Sequence, residues 1–294
     1  MDQIYDRNPE ELLGVPNTIN NLNEAEAVHE AIIRYRTYLI FNDPRHIDTL
    51  PHYRGEYNFG WDISPGTFRS KGTQLTAAEG KVQEGLAAAE FGIVVTRELG
   101  AQALRCLFYD QRYGPQWDLL FQAQHAGIHT TILDFSFRWE RGLYFAVEES
   151  GDPNIDQADG QYWAYLLPTR DLLNHGTFPT RDSYYNQDPQ TLSPGKMINV
   201  PFFIDNIEQR VFEGRMYKQV GRFYVPDHRH CNIPLNHQAH IVPWLFRFRI
   251  PSAQKQVIRE ELAATGITRD YLYVEENPAH KALIADINQR ICGW

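Results

Sequence analysis

The chain has 294 residues, enough for one large domain or two small ones, with an ordinary hydrophobic share of 43% and a charged share of 22%. A net charge of −9 argues against a broad basic footprint for nucleic acid, and no apolar run approaches the roughly 18 residues of a membrane-spanning helix. Cys106, Cys231 and Cys292 are too few and too scattered for a disulfide framework, and the N-terminus carries no basic, apolar leader, so the expectation is a cytoplasmic protein.

The first 16 residues read as a loose arm. Val28, Ile32, Tyr35 and Leu39 recur at helical spacing, which predicts a helix over 23–41, stopped by Asn42-Asp43-Pro44. A glycine- and proline-punctuated segment around Arg54 follows, read as loops. A capping box from Thr76 to Glu79 opens a helix over 76–90. Another helix starts at Pro115 and closes at Gly127, because Pro suits a first turn and Gly a left-handed cap. Thr131 to Ser136 reads as a short strand with Ile132, Asp134 and Ser136 on one face, and a helix begins near Arg138. A strand follows over 162–167, then a long polar loop over 170–200.

Strands resume near 215–225 and 244–250. In the second, Trp244, Phe246, Phe248 and Ile250 alternate with Leu245, Arg247 and Arg249. Beyond Ser252 come two helices separated by Gly266-Ile267 and a tyrosine-rich, strand-like piece. These elements predict an α+β fold, a central antiparallel or mixed sheet flanked by helices. Residues 1–45 form an N-terminal arm and helical extension, and 46–294 the main domain.

Several motifs are absent: no G-x-G-x-x-G after a strand, no Walker loop, no HExxH, no GxSxG and no CxxC pair. Two blocks stand out instead, HYRGEYNFGWDISPGTFR from His52 and LLFQAQHAGIHTTILDFSFRWERGLYFAVE from Leu119. They resemble the FRG domain, a bacterial family named for its Phe/Tyr-Arg-Gly signature. That signature stands here as Tyr53-Arg54-Gly55, with Trp61 and Pro65 following. The second block matches at Gln124, His125, Gly127, Thr131, Leu133, Asp134, Phe135 and Ser136, then at Leu143 to Ala146. The family Pro before the Thr is replaced by His129-Thr130 and the family Trp by Phe135. Met216 to Phe223 resembles a third feature, Q-x-G-x-F, around Gln219.

The order Arg54, Ser136, Gln219 is similar to the Arg-Ser-Glu order of ADP-ribosyltransferases. That likeness implies an ADP-ribosyltransferase-like fold and NAD as a glycosyl donor. Breaking the nicotinamide–ribose bond develops an oxocarbenium-like charge. Arg54 would hold the pyrophosphate or ribose edge by a bidentate fork. Ser136 would fix the strand edge and the ribose, and Gln219 would accept from the ribose 2′-hydroxyl. An uncharged Gln stabilises positive charge less than a carboxylate does, so Asp134, Glu208 or Glu213 are the alternatives, with Asp134 first. Tyr53, Tyr57 and Phe223 are the aromatics that could stack on nicotinamide or adenine, with Gly55 and His125 beside them. Structural readings stand next to these. Arg54 could pair a buried carboxylate, Ser136 could cap the following helix, Asp134 could hold the strand–helix turn, and His125 could bond helix-end carbonyls.

Asp227-His228-Arg229-His230-Cys231, with His237 and His240, gathers four His and one Cys in thirteen residues, a possible zinc site whose spacing fits no common finger. Arg215, Lys218, Arg222, Arg229, Arg247 and Arg249, interleaved with Tyr217, Tyr224, Phe246 and Phe248, could serve single-stranded nucleic acid or simply a solvated sheet face. The family likeness implies a toxin of a toxin–antitoxin or phage-defence module, modifying RNA ahead of protein, with an antitoxin as partner. The alternatives are a non-catalytic nucleotide-binding sensor or interaction module, and a metal-dependent hydrolase or nuclease.

Overall fold

The computed structural model describes residues 8–46, 49–69, 75–99, 115–167, 196–199, 218–226, 229–273 and 278–292. The helices are α1 (Pro9–Leu13), α2 (Leu22–Asn42), α3 (Ala77–Leu99), α4 (Pro115–Ala126), α5 (Trp139–Val147), α6 (Pro153–Asp156), α7 (Lys255–Ala264), α8 (Arg269–Leu272) and α9 (Pro278–Cys292). The strands are β1 (Leu50–Glu56), β2 (Leu133–Ser136), β3 (Gly160–Leu167), β4 (Lys196–Asn199), β5 (Gly221–Val225) and β6 (Leu245–Ile250). Contacts gather these into two units, one of Met1–Ile63, Asp134–Leu173 and Leu235–Leu272, the other of Ser64–Leu133, Asn174–Pro234 and Tyr273–Trp294.

The first unit is built on the antiparallel strands β2-β1-β3-β6. Arg54 lies opposite Trp163, which lies opposite Arg247; one row on, Glu56 lies opposite Gln161 and Gln161 opposite Arg249. Side chains alternate across a strand, so these residues share one face. The other face carries Tyr53, Tyr162, Ala164, Phe246, Phe248 and Ile250, all fully buried. Helix α5 crosses that face at unusually short range. A Cβ on Gly55 would lie 2.8 Å from the Phe145 carbonyl carbon, and nearer still to the Gly142 oxygen and Ala146 nitrogen; a Cβ on Gly142 would lie 2.6 Å from the Tyr53 Cβ. The absent side chains let helix backbone rest on strand backbone. Helix α2 supplies Val28, Ala31 and Ile32 to the buried side and sets Tyr35 edge-on against Phe246 at 5.6 Å.

In the second unit α3, α4 and α9 enclose Ala87, Phe91, Val94, Val95, Leu120, Phe121, Ile128, Ile132, Phe223, Val225 and Ile287. Glu84, fully buried on α3, accepts hydrogen bonds at 2.7 Å from both the amide and the hydroxyl of Thr131. The family-block threonine is therefore a donor to a buried carboxylate. Strands β4 and β5 pair antiparallel.

The α+β class, the antiparallel sheet and the flanking helices agree with the sequence reading, as do the Thr76–Glu79 capping box and the left-handed Gly127 after α4. Four expectations are corrected. The arm contains α1, capped at Asn8. The Arg54 segment is strand β1, because its alternating pattern is satisfied by two neighbours. Lys218 and Gln219 are helical, Val220 turns with φ 46°, and the strand starts only at Gly221. The start of the tyrosine-rich piece, through Tyr271 and Leu272, is helix α8, and residues 274–277 lie outside the described residues. Helix α2 belongs to the same unit as β1. Most of the 170–200 segment lies outside the described residues. Among the described residues no helix is long and apolar enough to cross a membrane.

Candidate functional site

Arg54 sits on the polar face of β1 with its side chain 12% exposed. All three guanidinium nitrogens are engaged. Nε and one Nη donate to the Glu56 Oε1 at 3.0 and 2.8 Å, and the other Nη donates to the Asp134 carbonyl at 2.5 Å. Glu56 accepts on its second oxygen from Gln161 Nε2 at 3.0 Å, and Gln161 accepts in turn from Arg247 Nε at 3.1 Å. The Arg247 guanidinium lies over Phe59 and donates to its carbonyl. Arg249 pairs with Asp159. This connected row ties β1, β2, β3 and β6 together. Three of the five Arg54 N–H donors are engaged inside the unit, so here the guanidinium acts as a brace between β1 and β2. Arg247 is thereby held inside the row, while Arg249 stays 56% exposed beside Asp159.

The opposite edge of the same unit opens into a groove of about 840 Å³. Its walls come from α2 (Glu26, His29, Glu30, Ile33, Arg34), the start of β1 (Leu50, Pro51) and the β2–α5 turn (Phe137 to Glu140). His29 lies stacked against Trp139, with ring centres 5.7 Å apart at 19°, and its Nδ1 is 2.6 Å from the Tyr53 hydroxyl. Glu140 Oε1 lies 3.4 Å from Arg138, while its Oε2 is buried and has no hydrogen-bond partner. A buried carboxylate oxygen without a donor is costly unless something else fills that place.

Burial raises the Tyr53 hydroxyl well above the usual tyrosine range, with the Glu140 charge adding to it, so the phenol stays neutral. Burial lowers the His29 pKa below its ordinary 6.5; Glu140 opposes this, Arg138 reinforces it, and Glu30 and Glu26 oppose it more weakly. Below that ordinary value the unfolded chain takes up a proton that the folded chain refuses. Stability is therefore complete above it and is lost as pH falls toward the lowered value. On going from about pH 7 to about pH 5, melting temperature is expected to fall more in the native chain than in His29→Gln. Equal falls in the two proteins would remove His29 from this account.

The remaining predicted residues fall in several places. The Ser136 hydroxyl, 3% exposed, accepts from the Arg138 amide at 3.0 Å and so holds the turn into α5. Asp134 contributes its carbonyl to Arg54. Tyr53 stacks on Tyr162 inside the core and leaves no free ring face, so it is corrected from ligand platform to the support of His29. Gly55 admits α5, not a ligand. Tyr57 packs edge-on to Trp61 at 5.1 Å, and its carbonyl accepts from Lys255. Phe223 is 1% exposed in the second unit, stacked on Phe121 at 4.5 Å, with His125 edge-on at 5.9 Å; neither offers a surface for a base. Gln219, 6% exposed, also lies in the second unit. Glu208, Glu213, Arg215, Tyr217, Asp227 and His228 lie outside the described residues. His237 pairs with Asp62 at 2.8 Å, and among the described residues no three His, Cys, Asp or Glu gather as a metal site.

Sequence reasoning passed over His29, Arg34, Trp139 and Glu140. One signal was available. His29 interrupts the apolar stripe of α2, between Ala25 and Ile32, where a polar residue needs a partner.

No curated protein and no solved structure gives a significant match to the chain. The FRG domain model matches residues 51–154, which include β1 with its Arg54–Glu56 pair, α5 with its close approach to Gly55, and the Phe137–Glu140 wall of the groove. The chain therefore contains an FRG domain, over residues 51–154.

Proposed function

We propose that the groove beside α2 takes NAD as an ADP-ribose donor and that the chain transfers ADP-ribose to a macromolecule. The observation that carries this reading is Glu140, a carboxylate that lines a groove of about 840 Å³ and has one buried oxygen left without a donor. A ribose hydroxyl is a donor of the right kind for that oxygen. A fixed negative charge there favours the positive charge that develops as the nicotinamide–ribose bond breaks. Trp139, backed by His29, offers an aromatic face, and Arg34 and Arg138 line the rim as candidates for the pyrophosphate. The roles first sought in Gln219 and Arg54 thus pass to Glu140 and to the two rim arginines. The ADP-ribosyltransferase-like fold, the toxin role and an antitoxin partner belong to the same proposal. The acceptor is either RNA or protein, since Arg247 of the basic stripe that favoured RNA is held by internal contacts, while Arg249 stays exposed.

Nicotinamide release from NAD, with and without cell RNA or protein, is the direct test. Glu140→Gln is expected to slow release by about 10²-fold or more while NAD affinity changes little. Release at the native rate from a folded Glu140→Gln variant would overturn the assignment. A non-catalytic nucleotide-binding module is the second reading. It is favoured by the use of the family's signature arginine as an internal brace. Calorimetric binding of NAD with no nicotinamide released would select it, and no binding would exclude both.

A further inference from the structure

The second unit presents a surface that the groove does not involve. On α3, Val82, Leu86 and Ile93 are 63%, 58% and 61% exposed, and Ala89 between them is exposed as well. Their spacing of four, three and four residues places all four on one line along the helix, the pattern of a coiled-coil seam. The inner face of the same helix is already satisfied, with Glu84, Ala87, Ala88, Phe91, Val94 and Val95 buried in the unit's own core. The exposed stripe is therefore additional to what the fold uses.

We infer that this stripe pairs with the α3 stripe of a second copy of the chain, antiparallel about a two-fold axis near the middle of the helix. The orientation follows from size and charge. In the antiparallel register Val82 meets Ile93 of the second copy, and Leu86 meets Ala89, large against small, so the seam closes without a gap. The same register brings Glu79, in the first turn of each helix, level with Arg97, in the last turn of the other. Both are accessible: Arg97 is 66% exposed and Glu79 is an exposed capping residue. A parallel pair would instead stack Arg97 on Arg97, Glu79 on Glu79 and Ala89 on Ala89, opposing like charges and leaving a void. Antiparallel helices also align their dipoles favourably. Because the axis relates identical patches, the contact closes at two copies and does not propagate. A single helix pair is a small interface, so the dimer is weak, with a dissociation constant on the order of micromolar.

Sedimentation of the full chain across a concentration series tests this. The native protein is expected to move from monomer to dimer, while Leu86→Glu and, separately, Ile93→Glu stay monomeric with unchanged melting, since both positions are exposed. Oxidation of the Val82→Cys/Ile93→Cys double variant is expected to cross-link two copies, whereas Val82→Cys alone and the native chain are not. A monomer at every concentration, or a dimer that survives Leu86→Glu, would overturn the pairing. Cross-linking by Val82→Cys alone, equal to that of the double variant, would overturn the antiparallel register.

Discussion

Gly55→Ala is expected to abolish the native fold or to leave a protein destabilised by more than about 3 kcal/mol, beyond the usual range for overpacking. The new methyl group would meet backbone on every side, with the Phe145 carbonyl carbon at 2.8 Å and the Gly142 oxygen and Ala146 nitrogen nearer. A flexible side chain could swing away from such a clash; a helix cannot. Helix α5 would have to rise off β1, and the second close approach, Gly142 against the Tyr53 Cβ, would open with it. Lifting it exposes Leu143, Ala146 and Val147, each fully buried. Urea unfolding of the purified variant gives the measurement. A midpoint within about 1 kcal/mol of the native chain would show that α5 adjusts freely, and the close-approach account would fail.

The second large effect is at Arg54. Arg54 as a ligand fork alone implies a variant that keeps its fold and loses activity. The structure reverses the emphasis, because Arg54→Ala strips the cation from Glu56, whose side chain is 5% exposed, and leaves it the neutral Gln161 amide. Breaking a buried pair from one side costs about 3–5 kcal/mol, since the remaining charge is left uncompensated. Removing both charges is less harmful, so Arg54→Met/Glu56→Gln is expected to recover part of the loss. A double-mutant cycle in denaturant measures the coupling. If Arg54→Ala unfolds at the native midpoint, the ion pair contributes nothing and the arginine regains its claim to a ligand.

Local chemistry made several elements readable. The capping box at Thr76, the Pro115 and Gly127 boundaries of α4 and the alternation along β6 are each decided by a few neighbouring residues, and the structure keeps them. Gln219 was misplaced because Met216 to Phe223 has strand-like composition. The left-handed Val220 that ends the helical turn leaves no mark in a valine. Glu56 stands two residues from Arg54, on the same strand face, so the pair itself could have been read from β1. Gln161 and Arg247 could not, because they arrive by the register of β3 and β6, which no local pattern sets. The groove was hidden for a similar reason. Its walls come from α2 and from the β2–α5 turn, about a hundred residues apart in the chain, and only packing brings them together.

Helix α2 ends at Asn42, before the matched segment begins at residue 51, yet it forms one long wall of the groove. One wall of the groove is thus encoded before the matched segment and the other, Phe137 to Glu140, within it. Drift or exchange in α2 can reshape its wall, while the brace around Arg54 and the glycine contact under α5 are left as they are. The shape of the groove is inherited in part separately from the matched scaffold.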